Sequence, residues 1–282
     1  MVNLAENAIK ARELSYSPYS HFQVGAVLLC DDGHLFAGAN IEIAGSSASC
    51  CAMRVALTSA ISSGYHYFVG AAMTSESDET DFTICGACRQ MLGEFCGADM
   101  PIVFVGRTGA LRTLKVRELM PYWDMMQFDT HLTLSNTSYE IDNGEVPRKL
   151  IELAELGRVN SVAPFSHYHV GAALLGSSGK VFIGGNIEQT SRSSTICAER
   201  VALFKAIMAG ERDFSAIAVV GGPKCRSVEG DNYGNPCAVC RQVLHEFDDG
   251  TMAVYMAKGD GDFIEKQLLE LLPYPFNNSF YQ

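Results

Sequence analysis

Four side chains in the second half of the chain have the types and spacing of a hydrolytic metal centre. Cys197 and Glu199 stand in "TICAER" (195–200), and Cys237 and Cys240 stand in "NPCAVC" (235–240). Cys237 and Cys240 are spaced i, i+3, which puts both sulfurs on one face of a helix starting there. Cys197 also sits at a predicted helix start, where exposed N–H groups and the positive dipole end favour thiolate. Three thiolates can bind Zn²⁺ and leave its fourth position to water, the pattern of a catalytic site and not of a closed structural one. Glu199, two residues past a ligand, is the natural base for that water. Arg200 and Arg241 are placed to offset the negative charge of such a cluster. A lone C-x-x-C is often half of a structural zinc site, and a lone helical Glu is usually solvated. Their combination at two helix starts favours the catalytic reading.

A near-copy of this constellation stands earlier. "SCCAMR" (49–54) and "ICGACRQ" (84–90) supply Cys51, Cys85 and Cys88, with Arg54, Phe22, Asn40 and Glu42 in matching places. Met53 occupies the acid's position, Ile84 replaces Pro236, and Asp124 stands where the second half has Phe276. This copy retains a ligand set but no proton carrier. Its thiols either form a second, non-catalytic metal site or pack as reduced buried cysteines. Cys50 is a weaker candidate for a fourth ligand, because adjacent cysteines rarely point the same way. Met53 reads as an apolar gap-filler.

The elements that must position these residues come as a duplicated set. "SHFQVGAVLLCDDGHLFAGANIE" (20–42) aligns without a gap on "SHYHVGAALLGSSGKVFIGGNIE" (166–188), and "CGACRQMLGEF" (85–95) aligns on "CAVCRQVLHEF" (237–247). A repeat this long is a duplicated domain and not a solenoid. The boundaries fall at 1–130 for a degenerate domain and 147–282 for a catalytic one, with the polar stretch 128–146 as linker. In the second half, "LIELAELGRV" has helical spacing. "HVGAALLG" and "KVFIGGN", separated by "SSG", read as a hairpin. "CAERVALFKAIMAG" is a helix stopped by Gly210. "SAIAVVGG" and "MAVYMAK" are further strands, and "CAVCRQVLHEF" opens another helix. Strands alternating with helices imply an α/β fold, two tandem α/β/α sandwiches each with a mixed sheet of about five strands.

Bulk properties narrow the function classes. The chain has 282 residues, 48% hydrophobic and 19% charged, enough for a sizeable core. Its formal charge of -11, with no Lys/Arg run, argues against a nucleic-acid partner. The N-terminus has no apolar signal core and no segment reaches the length of a membrane span, so the expected setting is cytoplasmic, with no membrane partner. Ten cysteines in such a chain read as reduced thiols, some bound to metal, and not as a disulfide framework.

"TICAER" with "NPCAVCRQVL", preceded by "NIE" and "APFSHYHVGAALL", resembles cytidine deaminase, and the likeness runs through both halves. The resemblance implies zinc-dependent hydrolytic deamination of cytidine and deoxycytidine to uridine and deoxyuridine, with ammonia released, as in pyrimidine salvage. Glu199 would act as general acid and base. Asn186 and Glu188 match the pair that holds the ribose 3′-hydroxyl, although alone they would read as turn caps. Ala198 matches the residue whose backbone N–H meets the pyrimidine carbonyl. Asn235 matches the position whose carbonyl faces the departing amine. Tyr168 stands where the family usually has Phe against the sugar and base, and "PCAVC" replaces the commoner "PCGAC". Phe276 matches an aromatic that in homotetrameric relatives reaches a neighbouring subunit's site, with a plain core aromatic as the alternative. Because single-domain relatives form tetramers, a duplicated chain implies a homodimer of four domains that takes a small-molecule nucleoside substrate. The competing readings are a deaminase of another cytosine-bearing small molecule, a nucleic-acid-editing deaminase and a non-enzymatic zinc protein.

Overall fold

The computed structural model describes residues 3–77, 82–121, 139–141, 145–223, 233–258 and 261–276. The chain divides into two compact units. The first comprises Met1–Glu42, Ser49–Thr133 and Gln189–Ser194; the second comprises Ile43–Ala48, Leu134–Glu188 and Thr195–Gln282. The short segments that follow each Asn-Ile-Glu motif thus count with the opposite half's unit. Within the first unit, Thr190 N–H donates to both carboxylate oxygens of the buried Glu94 at 3.1 Å. Within the second, Ala44 N–H donates to Glu246 Oε2 at 3.2 Å.

The first unit runs α1 (Leu4–Arg12), β1 (Val24–Cys30), β2 (Leu35–Ala39), α2 (Ala52–Ser62), β3 (Phe68–Ser75), α3 (Gly86–Phe95), β4 (Pro101–Val105), β5 (Leu111–Lys115) and α4 (Val116–Leu119). Asn3 caps α1 by accepting from Glu6 N–H. The sheet order is β2-β1-β3-β4-β5, with β3 and β4 parallel and the other neighbours antiparallel.

The second unit runs β6 (Tyr139–Glu140), α5 (Val146–Val159), β7 (Tyr168–Gly176), β8 (Lys180–Gly185), α6 (Ala198–Met208), β9 (Phe214–Pro223), α7 (Ala238–His245), β10 (Ala253–Ala257), β11 (Phe263–Gln267) and α8 (Leu268–Leu271). Its sheet repeats the first unit's order as β8-β7-β9-β10-β11, and β6 adds a two-residue strand on the outer edge of β8. That strand lies in the stretch read as linker. It forms through backbone pairing at a sheet edge, which leaves no trace in the side-chain pattern. The β7–β8 hairpin and the helices α5, α6 and α7 lie where periodicity and turn residues place them, and Gly210, at φ 91°, follows the C-cap of α6.

Consecutive residues of a strand face opposite sides of its sheet. A Cβ on Gly184 would lie 2.2 Å from Ala198 O of α6, whereas one on Gly185 would lie 2.5 Å from Gly157 O of α5. The two helices therefore cover opposite faces of β8, and the unit is a three-layer sandwich. The α5 face is packed by Leu150, Leu153 and Ala154 against Ala173, Ala216, Ala218 and Val220. Small residues let the layers approach closely. At Gly171 a Cβ would lie 1.9 Å from Ala154 O, and at its counterpart Gly25 2.2 Å from Ala8 O, so backbone occupies the space of any side chain. Gly171→Ala is expected to cost about 1–3 kcal/mol or more, because the helix itself must shift. A urea midpoint equal to wild type would contradict that close packing. Among the described residues no helix is long and apolar enough to cross a membrane.

Candidate active site

The three cysteines of the second unit meet because two helices start at one place. Cys197 is the N-cap of α6 and Cys237 the N-cap of α7, both in extended backbone, while Cys240 lies in the first turn of α7. Cys237 Sγ accepts from Cys240 N–H at 3.4 Å, as a capping side chain does. The sulfurs of Cys197 and Cys237 are 3.9 Å apart, and all three lie within 4.8 Å of one another. Tetrahedral zinc with Zn–S bonds of about 2.3 Å sets its sulfurs about 3.8 Å apart, so the triad fits the ion. All nine described cysteines are free thiols. Cys237 accepts from Cys197 and Cys240, which pulls its thiol well below the ordinary value. Cys240, hydrogen-bonded to Cys197 and Cys237 and buried, is pushed up. Arg200 donates to Cys197 Sγ at 3.8 Å and to Thr195 O at 2.9 Å, as a charge offset should. Arg241 instead donates to Pro236 O at 2.9 Å and Leu271 O at 2.6 Å, because its side chain lies along the loop before α7.

Glu199 lies in the first turn of α6 and is 3% exposed. Burial pushes its carboxyl up to about 7. An acid that titrates near neutrality can both accept and return a proton. Ala198, fully buried, opens α6, where backbone N–H groups have no acceptor within the helix.

The predicted sugar-binding pair follows β8 and is bonded to the start of β7 and the residues just before it. Glu188 Oε2 accepts from Phe165 N–H at 3.0 Å and Ser166 N–H at 3.1 Å. Asn186 Oδ1 accepts from Val170 N–H at 2.8 Å, and its Nδ2 donates to Tyr168 O at 3.1 Å. Tyr168 is 40% exposed, and its ring lies over Gly221, where a Cβ would meet it at 2.9 Å. Asn235 is exposed in a tight turn, its N–H donating to Tyr233 O at 2.7 Å. Phe276, at 42% exposure, is not a core aromatic. Gln242 of α7 holds its backbone in both directions, donating to Phe276 O at 2.6 Å and accepting from its N–H at 3.2 Å.

One supporting group is invisible in the sequence pattern. Tyr233 OH donates to Asp262 Oδ2 at 2.8 Å, Lys258 Nζ lies 4.3 Å from the Tyr233 ring centroid, and Lys258 pairs with Asp262 at 3.5 Å. The β10–β11 turn thus grips the loop that carries Asn235, Pro236 and Cys237. Next to Tyr233, a Cβ on Gly234 would lie 2.4 Å from Val219 O, so the loop lies directly on β9. Residues distant in sequence and polar on the surface give no signal of this grip.

The first unit assembles its own triad. Cys51 and Cys85 cap α2 and α3, with Sγ···Sγ distances of 3.5 Å for Cys51–Cys85 and 3.6 Å for Cys85–Cys88. All three lie within 4.8 Å, a spacing that also suits zinc, and Cys50 is not among them. Met53 is fully buried at the acid's position, and Ile84 is 2% exposed. Asp124 lies outside the described residues.

Comparison with known proteins places both units in one group. A family model described as "Cytidine and deoxycytidylate deaminase zinc-binding region" matches residues 2–104 and again 145–257. A cytidine deaminase of Sporosarcina psychrophila is 43% identical over 131 residues, 46% of this chain and 90% of that protein. One of Halalkalibacterium halodurans is 45% identical over 127 residues, 45% of this chain and 91% of that protein. One of Proteus mirabilis is 30% identical over 202 residues, 71% of this chain and 66% of that protein.

Proposed function

The chain belongs to the cytidine and deoxycytidylate deaminase zinc-binding family, and from that premise we propose that its second unit hydrolyses cytidine and deoxycytidine to the uridine nucleosides and ammonia. The single observation that carries this is the buried Glu199 beside the triad Cys197, Cys237 and Cys240. Cys197, Cys237 and Cys240 would hold zinc as thiolates, and the bound ion would supply the Lewis acid that makes water a nucleophile near neutral pH. The protein's residues divide the remaining work. Ala198 N–H, at the positive end of α6, donates to the pyrimidine carbonyl and orients the ring. Glu199 takes a proton from the attacking water and gives it to N3 of the base, which makes C4 electrophilic. It then passes the water's second proton to the exocyclic nitrogen, so that ammonia leaves as the C4 carbonyl forms. The Asn235 carbonyl accepts from the amine as it departs. Asn186 and Glu188 hold the ribose, Tyr168 covers the sugar and base, and Phe276 adds an aromatic wall.

In the first unit Met53 has no proton to move, so this unit does not run the proton transfers, and Ile84 in place of Pro236 and Asp124 in place of Phe276 are further departures from the working copy. Cys51, Cys85 and Cys88 hold a second zinc whose part is structural; the sulfur spacing supports this. The chain acts on free nucleosides in the cytoplasm, in pyrimidine salvage, and assembles as a homodimer. Sedimentation at twice the 30.6 kDa chain mass tests the last point, and a monomer would overturn it.

Initial rates on cytidine, deoxycytidine and a cytosine-containing single-stranded oligonucleotide test the substrate class. Nucleosides are expected to turn over and the oligonucleotide not to, in keeping with the charge of -11. Faster deamination of the oligonucleotide would reverse the assignment. Tyr233→Phe keeps the ring under Lys258 but removes the bond to Asp262. It is expected to lower kcat/KM about fivefold, the worth of one hydrogen bond, with zinc content unchanged. Unaltered kinetics would show that the grip on the Asn235 loop is idle.

A further inference from the structure

The first unit lacks the acid yet keeps the backbone bonds of the sugar cradle, with one addition, Ser15 Oγ donating to Asn40 Oδ1 at 2.7 Å where its counterpart Ser161 donates to Arg158 O. Glu42 Oε2 accepts from Tyr19 N–H at 3.1 Å and Ser20 N–H at 3.0 Å, as Glu188 does from Phe165 and Ser166. Ser20 Oγ also donates to Glu42 Oε1. Asn40 Oδ1 accepts from Val24 N–H at 2.8 Å and its Nδ2 donates to Phe22 O at 2.8 Å, matching Asn186. His21 and His167, at the same place in the two cradles, both adopt φ 55°, a left-handed conformation unusual for a residue with a side chain. Such strain persists where its surroundings enforce it, and it is typical of ligand sites. The aromatic beside each cradle is similarly exposed: Phe22 is 43% exposed and Tyr168 40%. In each triad one cysteine is exposed, one half-buried and one buried, in corresponding order.

We propose that the first unit is a second nucleoside site, one that binds a pyrimidine nucleoside without converting it and prefers the uracil base of the product. This rests on the proposed deaminase function. Met and Glu are both unbranched side chains of similar reach, and Met53 is fully buried at the place of Glu199, so it fits the room of an acid. Their chemistry differs at the base. A carboxyl group can accept from N3–H or donate to a bare N3. The Met53 thioether is a weak acceptor with no donor. Uracil presents N3–H, which the sulfur tolerates. Cytosine presents a lone pair there, which would be buried with no donor facing it. Leaving an acceptor unpaired in this way weakens binding about tenfold or more. The chain would then carry one unit that makes uridine and one that registers it.

Equilibrium dialysis of labelled uridine against the intact zinc-loaded chain tests this. Two uridines per chain are expected, with cytidine displacing one of them at least tenfold less effectively than unlabelled uridine. Phe22→Ala, at an exposed position, is expected to lower the count from two to one, and Glu42→Gln to do the same. Tyr168→Ala is expected to remove the other site. One uridine per chain in the wild type, or two that survive both first-unit variants, would overturn the proposal. Cytidine turnover by the same wild-type sample reports separately on the deaminase function.

Discussion

Glu199→Gln will leave fold and zinc in place and reduce cytidine turnover by at least ~10²–10⁴, the contribution of a positioned acid/base. Glutamine matches glutamate in size and keeps a polar head at a position 3% exposed, so the packing of α6 on β8 is undisturbed. The amide cannot carry a proton, and two proton relays depend on this one side chain: from water to N3, and from water to the leaving nitrogen. Burial that pushes the carboxyl up to about 7 reflects a cost of holding charge there. The neutral amide removes that cost, and the melting temperature should equal or exceed wild type. Turnover within tenfold of wild type would show that the proton moves by another route.

Cys240→Ala will remove one zinc per chain and reduce turnover to background. Cys240 is fully buried and contributes the third sulfur of the triad, and two thiolates do not hold the ion at a helix start against water. The Lewis acid is worth several kcal/mol of transition-state stabilisation, all of which goes with it. Cys88→Ala, the matched change in the first unit, will also remove one zinc but spare most of the turnover. Metal analysis and rate measurement on the same samples separate the two. Equal loss of turnover in both variants would contradict the assignment of chemistry to the second unit.

The triads are legible in sequence because an i, i+3 cysteine pair and a capping cysteine have few geometric outcomes. Duplication makes the elements legible twice. In the second unit the hairpin β7–β8 and helices α5 and α6 follow from alternation, from 3.6-residue spacing and from Gly210. Other features rest on forces that sequence patterns do not record. Strand β11 is exposed along nearly its whole length and shows no alternation, and β6 is an edge pairing of two residues. The attachment of residues 43–48 and 189–194 to the opposite units depends on Glu246 and Glu94, each far away along the chain. The Tyr233–Lys258–Asp262 grip joins surface residues of two loops. Proximity along the chain marks Arg241 as a charge beside the metal, whereas its guanidinium fork is occupied by two backbone carbonyls.

The most direct measurement follows uridine and ammonia together from cytidine, with the chain zinc-loaded, then stripped by a chelator, then reloaded. The expected result is one uridine and one ammonia for each cytidine consumed, lost on stripping and restored by zinc. A folded chain with zinc bound that forms no uridine would contradict the assignment of deamination to Glu199 and its three cysteines.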